Sequence, residues 1–244
     1  MKRQRVDWTV LGGFGKAKAG AVHLSYGRSG GPNCDKGCSH FDDCYAIATE
    51  HRWSKTLAPK MKRHQRTDPA SLTVKALTEL HRLRAAPPWI RLSSFGSLPQ
   101  PERLTVEERP RLRLALRKLA TFITDRGWQD RTHIPVESAH KARHYRRWLP
   151  GLTVRESCQN ITRFLHAKGP VSMATPAKGP LRLRLADARA LASDRQRLSG
   201  RPTAVCGAIR SAFKSKLGIP CRPIKCGDCT LCAEEKYDIV YPGH

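Results

Sequence analysis

The chain has 244 residues, 39% of them hydrophobic, and carries 45 Lys and Arg against 20 Asp and Glu, a formal charge of +25. Met1-Lys2-Arg3-Gln4-Arg5 leads into no apolar run and no stretch is long enough to span a bilayer, so the expectation is a soluble, cytoplasmic protein with no membrane partner. So strong a positive potential attracts polyanions and makes nucleic acid the expected partner, the competing account being solvated basic helix faces, since arginine also alternates with leucine in Leu181-Arg-Leu-Arg-Leu185.

In chain order, Leu11-Gly-Gly-Phe-Gly15 looks like a phosphate loop but lacks the flanking strand and helix, and reads as a turn. Residues 20–26 predict a first strand, followed by the polar turn Gly27 to Pro32 that delivers the first cysteines, with a helix beginning near Cys44. Asp68-Pro69 reads as an N-cap and first helical position, and Leu72, Ala76, Leu80 and Leu83 then recur on one face. Trp89 to Ser93 predicts a second strand running into a loop at Gly96. The next helix spans about Thr105 or Arg109 to Arg126, its stripe being Leu112, Leu116, Leu119 and Ile123, and Gly127 stops it.

Shorter elements follow: strand His133 to Val136, helix Ser138 to Trp148, strand Thr153 to Arg155, helix Ser157 to His166, and strand Val171 to Ala174. Pro176-Ala-Lys-Gly-Pro180 reads as an exposed turn, and helix Leu183 to Leu198, strand Thr203 to Val205 and a terminal strand Asp238 to Tyr241 complete the pattern. Alternating strands and helices argue for an α/β fold with a parallel sheet. The expected organisation is an α/β domain over 1–205 carrying the first cysteine group, and a cysteine-rich segment over 206–244 packed on it.

The odd total of nine cysteines fits poorly with a disulfide framework in a chain that begins without an export signal, and metal ligation is the better reading. Cys34-x3-Cys38-x5-Cys44 sits on the loop between the first strand and its helix. Three thiolates on a four-iron cluster leave one iron open for a ligand, whereas a zinc site would be closed by a fourth group such as His40 or His51. Cys221-x4-Cys226-x2-Cys229-x2-Cys232 has the compact run of ferredoxin-like clusters. Cys206 or Cys221 completes its set of four, and a zinc knuckle is the competing account. Cys158 is isolated and reads as a small buried hydrophobe.

A loop of three cysteines ending in Cys-Tyr, between a first strand and its helix and within about six β/α units, resembles the radical S-adenosylmethionine enzymes. More narrowly, Pro32-Asn-Cys-Asp-Lys-Gly-Cys-Ser-His-Phe-Asp-Asp-Cys-Tyr-Ala46, with Val205-Cys-Gly and Cys226-Gly-Asp-Cys-Thr-Leu-Cys232, looks like a family of cysteine-rich bacteriophage and mobile-element proteins of unsettled activity. The resemblance implies a partial (β/α)6-type barrel in which Cys34, Cys38 and Cys44 bind a [4Fe-4S] cluster that chelates S-adenosylmethionine. It further implies an auxiliary cluster on the C-terminal cysteines, an electron donor as partner, and hydrogen abstraction from a substrate such as a nucleic-acid base. The superfamily spacing is C-x3-C-x2-C, while the second gap here is x5, and the loop from Ser93 to Ser97 carries Gly96 but no acidic residue.

Glu137, Ser138, Arg155 and Glu156 fall at the ends of predicted strands, where α/β proteins place ligand-binding groups; together with Gly96 they are the candidate cofactor contacts, and helix capping by Ser138 and Ser157 is the alternative. Lys141, Arg143, Arg146 and Arg147 lie in a basic run interleaved with Tyr145 and Trp148, a composition suited to phosphate contact with base stacking, and Arg182 and Arg184 open a second arginine-rich helix.

Overall fold

Seven strands and seven helices are defined in the computed structural model, which describes residues 10–11, 22–28, 31–34, 45–52, 54–93, 97–158, 160–174, 184–206 and 229–241. In chain order they are β1 (Val22–Leu24), α1 (Tyr45–Arg52), α2 (Leu57–Arg66), α3 (Pro69–His81), β2 (Ile90–Leu92), α4 (Glu108–Asp125), β3 (Thr132–Val136), α5 (Ala139–Trp148), β4 (Val154–Cys158), α6 (Ile161–His166), β5 (Val171–Ala174), α7 (Leu185–Ser199), β6 (Thr203–Val205) and β7 (Asp238–Tyr241).

Helix boundaries follow local chemistry. The Asp68 carboxylate accepts from Ser71 N at 3.0 Å with Pro69 at the first helical position, and Ser138 Oγ accepts from Lys141 N at 3.3 Å, each satisfying a backbone donor the helix leaves open. Gly127 and Gly200 follow α4 and α7 with φ of 66° and 68°, the left-handed conformation that glycine takes without steric cost.

The strands form one sheet in the order β1-β2-β3-β4-β5-β7-β6, with every neighbouring pair parallel. A sequential order from β1 to β5 sends each right-handed crossover to the same side. Accordingly Val22, Leu24, Ile90, Leu92, Ile134, Val136 and Val154 share a core with Leu72, Ala76 and Leu80 of α3 and Leu112, Leu116 and Leu119 of α4. A second cluster joins Cys158, Val171, Met173 and Val240 to Phe164 of α6 and to Ala188, Leu191 and Ala192 of α7. Side chains alternate along a strand, so the intervening residues His23, Arg91, His133, Arg155, Ser157, Ser172 and Tyr241 share the opposite face.

Three features depart from the sequence reading. Helix α2 was not anticipated: it buries Leu57, Met61 and His64 beneath a strongly basic exterior, with His64 Nδ1 2.9 Å from Ser25 O. Strand β4 runs on to Cys158, so Ser157 is a strand residue rather than a cap, and Asn160 caps α6 by accepting from Arg163 N at 2.7 Å. The terminal strand does not lie on an appendage. β7 inserts between β5 and β6, so a boundary at 205/206 would separate hydrogen-bonded neighbours.

Candidate functional site

In a parallel sheet the loops leaving the carboxyl ends of the strands share one edge, and here that edge collects the first cysteine turn. Beyond β1, Cys34 N donates to Gly31 O at 2.9 Å and Asn33 Nδ2 donates to Tyr26 O at 3.1 Å. Arg103, beyond β2, donates to Pro32 O at 2.8 Å. The strongest tie comes from α5, where the buried Lys141 ammonium donates to Asn33 O at 3.0 Å, Leu98 O at 2.9 Å and Glu137 Oε2 at 3.1 Å. One cation therefore joins the loops after β1, β2 and β3.

Cys34 is left half-buried, its Sγ 3.9 Å from Arg28 O. Ser93, directly after β2, has a φ of 68°, and its Oγ accepts from Leu98 N at 3.0 Å. A non-glycine residue held in the left-handed region costs roughly 1 kcal/mol, a cost the surrounding loop has to offset. Cys38, Cys44, His40 and Gly96 lie outside the described residues, and His51 is exposed at the end of α1.

The C-terminal cysteines meet the other end of the sheet. Cys206 follows β6 and donates its N–H to Val240 O at 2.9 Å, while Cys232 Sγ lies 2.9 Å from the hydroxyl of Tyr241, the last residue of β7. Burial first, then the neighbouring Cys232, raises the Tyr241 phenol well above its ordinary pKa and keeps it protonated, with Cys206 contributing in the same direction. Cys232 thus contacts the half-buried Tyr241, Cys206 lies near enough to act on it, and Cys229 is half-buried three residues before Cys232. Thiolate donors of this kind suit iron-sulfur clusters or zinc. Among the described residues no group of three or more His, Cys, Asp or Glu side chains is gathered as a metal site, and Cys221 and Cys226 lie outside them.

Arg155 fastens this segment to the sheet. Its fully buried guanidinium donates to Cys232 O at 3.3 Å, Glu234 O at 2.9 Å, Val171 O at 3.1 Å and Tyr237 O. Its donors are thus committed to backbone carbonyls, whereas the sequence offered it as a cofactor contact. Glu156 points to the helix-covered face and pairs with Arg163 at 2.8 Å. Glu137 is held by Lys141, and Ser138 serves as the cap of α5.

The face of the sheet opposite the helices is cationic and polar from β1 to β5 apart from Pro135 and Ala174, and carries the apolar Ile239 and Ala204 on β7 and β6. His23, Arg91 and His133 are in register across β1, β2 and β3, and none of the described strand residues on that face is acidic. Burial, with Arg91 next, depresses His23 to a pKa of about 4; burial, Arg91 and Arg155 depress His133 well below 6.5. Both imidazoles are neutral at neutral pH. His133 Nε2 has no hydrogen-bond partner among the described residues, and its ring lies 5.7 Å from that of Trp89. Such a surface suits a polar or anionic ligand rather than a cation.

Of the residues read from sequence as nucleic-acid contacts, the structure separates two kinds. Lys141 and Arg146 spend their donors inside the protein, Arg146 on Val154 O and Pro170 O, both at 3.2 Å. Tyr145 and Trp148 are buried in the core, so neither is available to stack on a base. Arg143 and Arg147 are exposed; Arg184 is exposed but pairs with Asp187 at 3.3 Å, and Arg182 lies outside the described residues. Cys158 is buried in the core, and burial pushes its thiol up to about 12, so it is inert as a ligand.

Residues missed from sequence include His133 and the pair Arg195–Asp238. Arg195 Nε donates to Asp238 Oδ2 at 2.8 Å, Arg201 Nε donates to Asp238 Oδ1 at 3.2 Å, and Val171 N donates to the same oxygen at 3.0 Å. A signal was present, because Ala188, Leu191, Ala192 and Arg195 follow the helical spacing of a buried stripe. Among the described residues no helix is long and apolar enough to cross a membrane. No family model, no curated protein and no solved structure matches the chain.

Proposed function

We propose that the chain is an iron-sulfur protein of the radical S-adenosylmethionine type, built on a partial (β/α)6-type barrel and acting on nucleic acid. The observation that carries this reading is the placement of the Cys34 turn. It leaves β1 at the carboxyl edge of a parallel sheet whose first five strands are in sequential order, and α1 begins directly after Cys44. The packing of α3 to α7 against one face of the sheet, and the polar residues on the opposite face of β1 to β4, support it, because a barrel built this way would have a polar interior.

Cys34, Cys38 and Cys44 would hold a [4Fe-4S] cluster with one open iron, which when bound supplies the electron for cleavage of the sulfonium of S-adenosylmethionine. Lys141 fixes the turn that presents Cys34, and Ser93 shapes the loop containing Gly96, which faces the cofactor in this reading. Arg91 and His133 line the polar face and orient the substrate's polar groups. Cys226, Cys229 and Cys232, with Cys206 or Cys221, would hold the auxiliary cluster; that Cys206 and Cys232 both act on Tyr241 favours Cys206 as the fourth member. An electron donor is the implied partner, and the C-x3-C-x5-C spacing adapts the cluster loop by lengthening its second gap.

The second reading is a non-enzymatic, metal-stapled nucleic-acid-binding protein of a phage or mobile element. It is favoured by the C-terminal segment, where Arg155 and Tyr241 both hold Cys232, as suits a closed structural site. The test is anaerobic incubation of the reconstituted full chain with dithionite and S-adenosylmethionine. Formation of 5'-deoxyadenosine and methionine, abolished by Cys34→Ala, supports the enzymatic reading. An intact cofactor in the presence of fully loaded clusters rejects it.

A further inference from the structure

Helices that follow the strands of a parallel sheet begin at its carboxyl edge, so the first turns of α4 and α5 stand at the rim where the Cys34 turn lies. Arg109 occupies the first turn of α4, and Arg113 and Arg117 follow it at intervals of four residues, which keeps the three on one exposed stripe. His140 occupies the first turn of α5, and Arg143 and Arg147 are exposed further along it. The two helices pack against each other, and Arg109 is close enough to His144 of α5 to depress its pKa, behind burial and His140 and together with Arg147.

None of the five arginines has an ion-pair partner among the described residues. Helix α5 contains no acidic residue at all. Helix α7 offers a contrast: Arg184 pairs with Asp187, Arg195 with Asp238 and Arg197 with Asp194, which leaves Arg189 as its one arginine without an ion-pair partner among the described residues.

We propose that the α4–α5 face is a phosphate-backbone track for duplex nucleic acid, running from the rim of the cysteine site down the outer surface of the helix layer. Unbalanced exposed guanidinium groups in a stripe match the spaced charges of a polyanion, and their binding is driven by counterion release. The duplex assignment follows from what the face lacks. Tyr145 and Trp148, which alternate with the arginines in sequence, are buried, so the track has no aromatic platform for unstacked bases. Contacts confined to phosphates position a duplex without reading its sequence. The inference rests on the nucleic-acid part of the proposed function and deepens it, while being independent of the metal.

The experiment is a salt titration of binding by the full chain to a fluorescent duplex of about 20 base pairs and to a single strand of the same length. Wild type is compared with two triple variants, each removing three charges: Arg113→Gln, Arg143→Gln, Arg147→Gln on the track, and Arg184→Gln, Arg189→Gln, Arg197→Gln on α7. The track variant is expected to lower the slope of log affinity against log salt by about 3 and to weaken duplex binding roughly 100-fold at about 150 mM salt, from ~0.9 counterions released per phosphate contact. The α7 variant is expected to change affinity less than about 5-fold, since two of its three charges, Arg184 and Arg197, are paired. Equal losses in the two variants would overturn the track and leave only net charge. Tighter binding of the single strand by wild type would overturn the duplex assignment. No binding of either nucleic acid by wild type at low salt would reject the nucleic-acid reading itself.

Discussion

Two buried cations fasten the two cysteine-bearing regions, and they do so differently. Lys141 reaches from α5 into the carboxyl edge and joins three loops through two carbonyls and one carboxylate, so its charge is balanced by Glu137. Arg155 lies within a central strand and grips four carbonyls of the C-terminal segment and β5, with no carboxylate in the set. The planar fork of a guanidinium suits this multiple clamp, whereas an ammonium acts as a point charge. The first turn is therefore tethered at its base while Cys34 stays half-open, and the C-terminal stretch from Cys232 to Tyr237 is held at three carbonyls. In this account the open end is where chemistry occurs and the locked end is where a cluster is held.

Arg155→Met leaves one buried and three part-buried carbonyls without this donor and is expected to cost about 3–5 kcal/mol, read as a lower urea midpoint, with hydrogen exchange rising first over residues 229–241. Lys141→Met should cost about 2–3 kcal/mol, because Glu137 loses its ionic partner, and its local signature is faster exchange at residues 31–34 and 97–98. Alkylation of Cys34 in the metal-free protein should speed up in that variant and not in Arg155→Met. A Lys141→Met protein whose Cys34 reacts at the wild-type rate would contradict the tether.

The polar face gives a pH dependence of known sign. His23 and His133 are neutral in the folded chain, with folded pKa values depressed below about 6.5, so the unfolded chain binds more protons in that range. Stability is therefore full above pH 6.5 and falls as pH drops, for His23 through its folded value of about 4. Thermal melts between pH 7 and 4 should show this fall, and His133→Gln should flatten it. A melting temperature independent of pH over that window would show that the imidazoles are not buried as described. The smallest expected effect is Tyr241→Phe, about 1 kcal/mol from loss of one buried hydrogen bond beside Cys232.

Much of the fold was legible because its signals are local. Asp68-Pro69, the Leu112–Ile123 stripe and Gly127 carry their own start, face and stop, and the terminal strand Asp238–Tyr241 was read with its observed bounds. Its place in the sheet was not legible, because insertion between β5 and β6 depends on long-range pairing and on the Arg155 and Arg195 networks. The basic run around α5 was visible as composition. Which of its members face outward was not, since Lys141, Tyr145 and Arg146 turn inward on a helix whose period the charge count ignores. Of the cysteines grouped by spacing, the described residues include Cys34, Cys206, Cys229 and Cys232, and their surroundings were not legible. That Cys206 is tied to Val240 beside the residue that contacts Cys232 needed β6 and β7 to be neighbours.

The most direct test of the central claim is iron and acid-labile sulfide analysis of full chain purified without oxygen, compared with a Cys34→Ala, Cys38→Ala, Cys44→Ala variant. The account expects about eight irons and eight sulfides in the wild type, falling to about four of each in the variant, as for two four-iron clusters of which the turn after β1 holds one. Stoichiometric zinc with no sulfide would contradict it and leave a metal-stapled binding protein in its place.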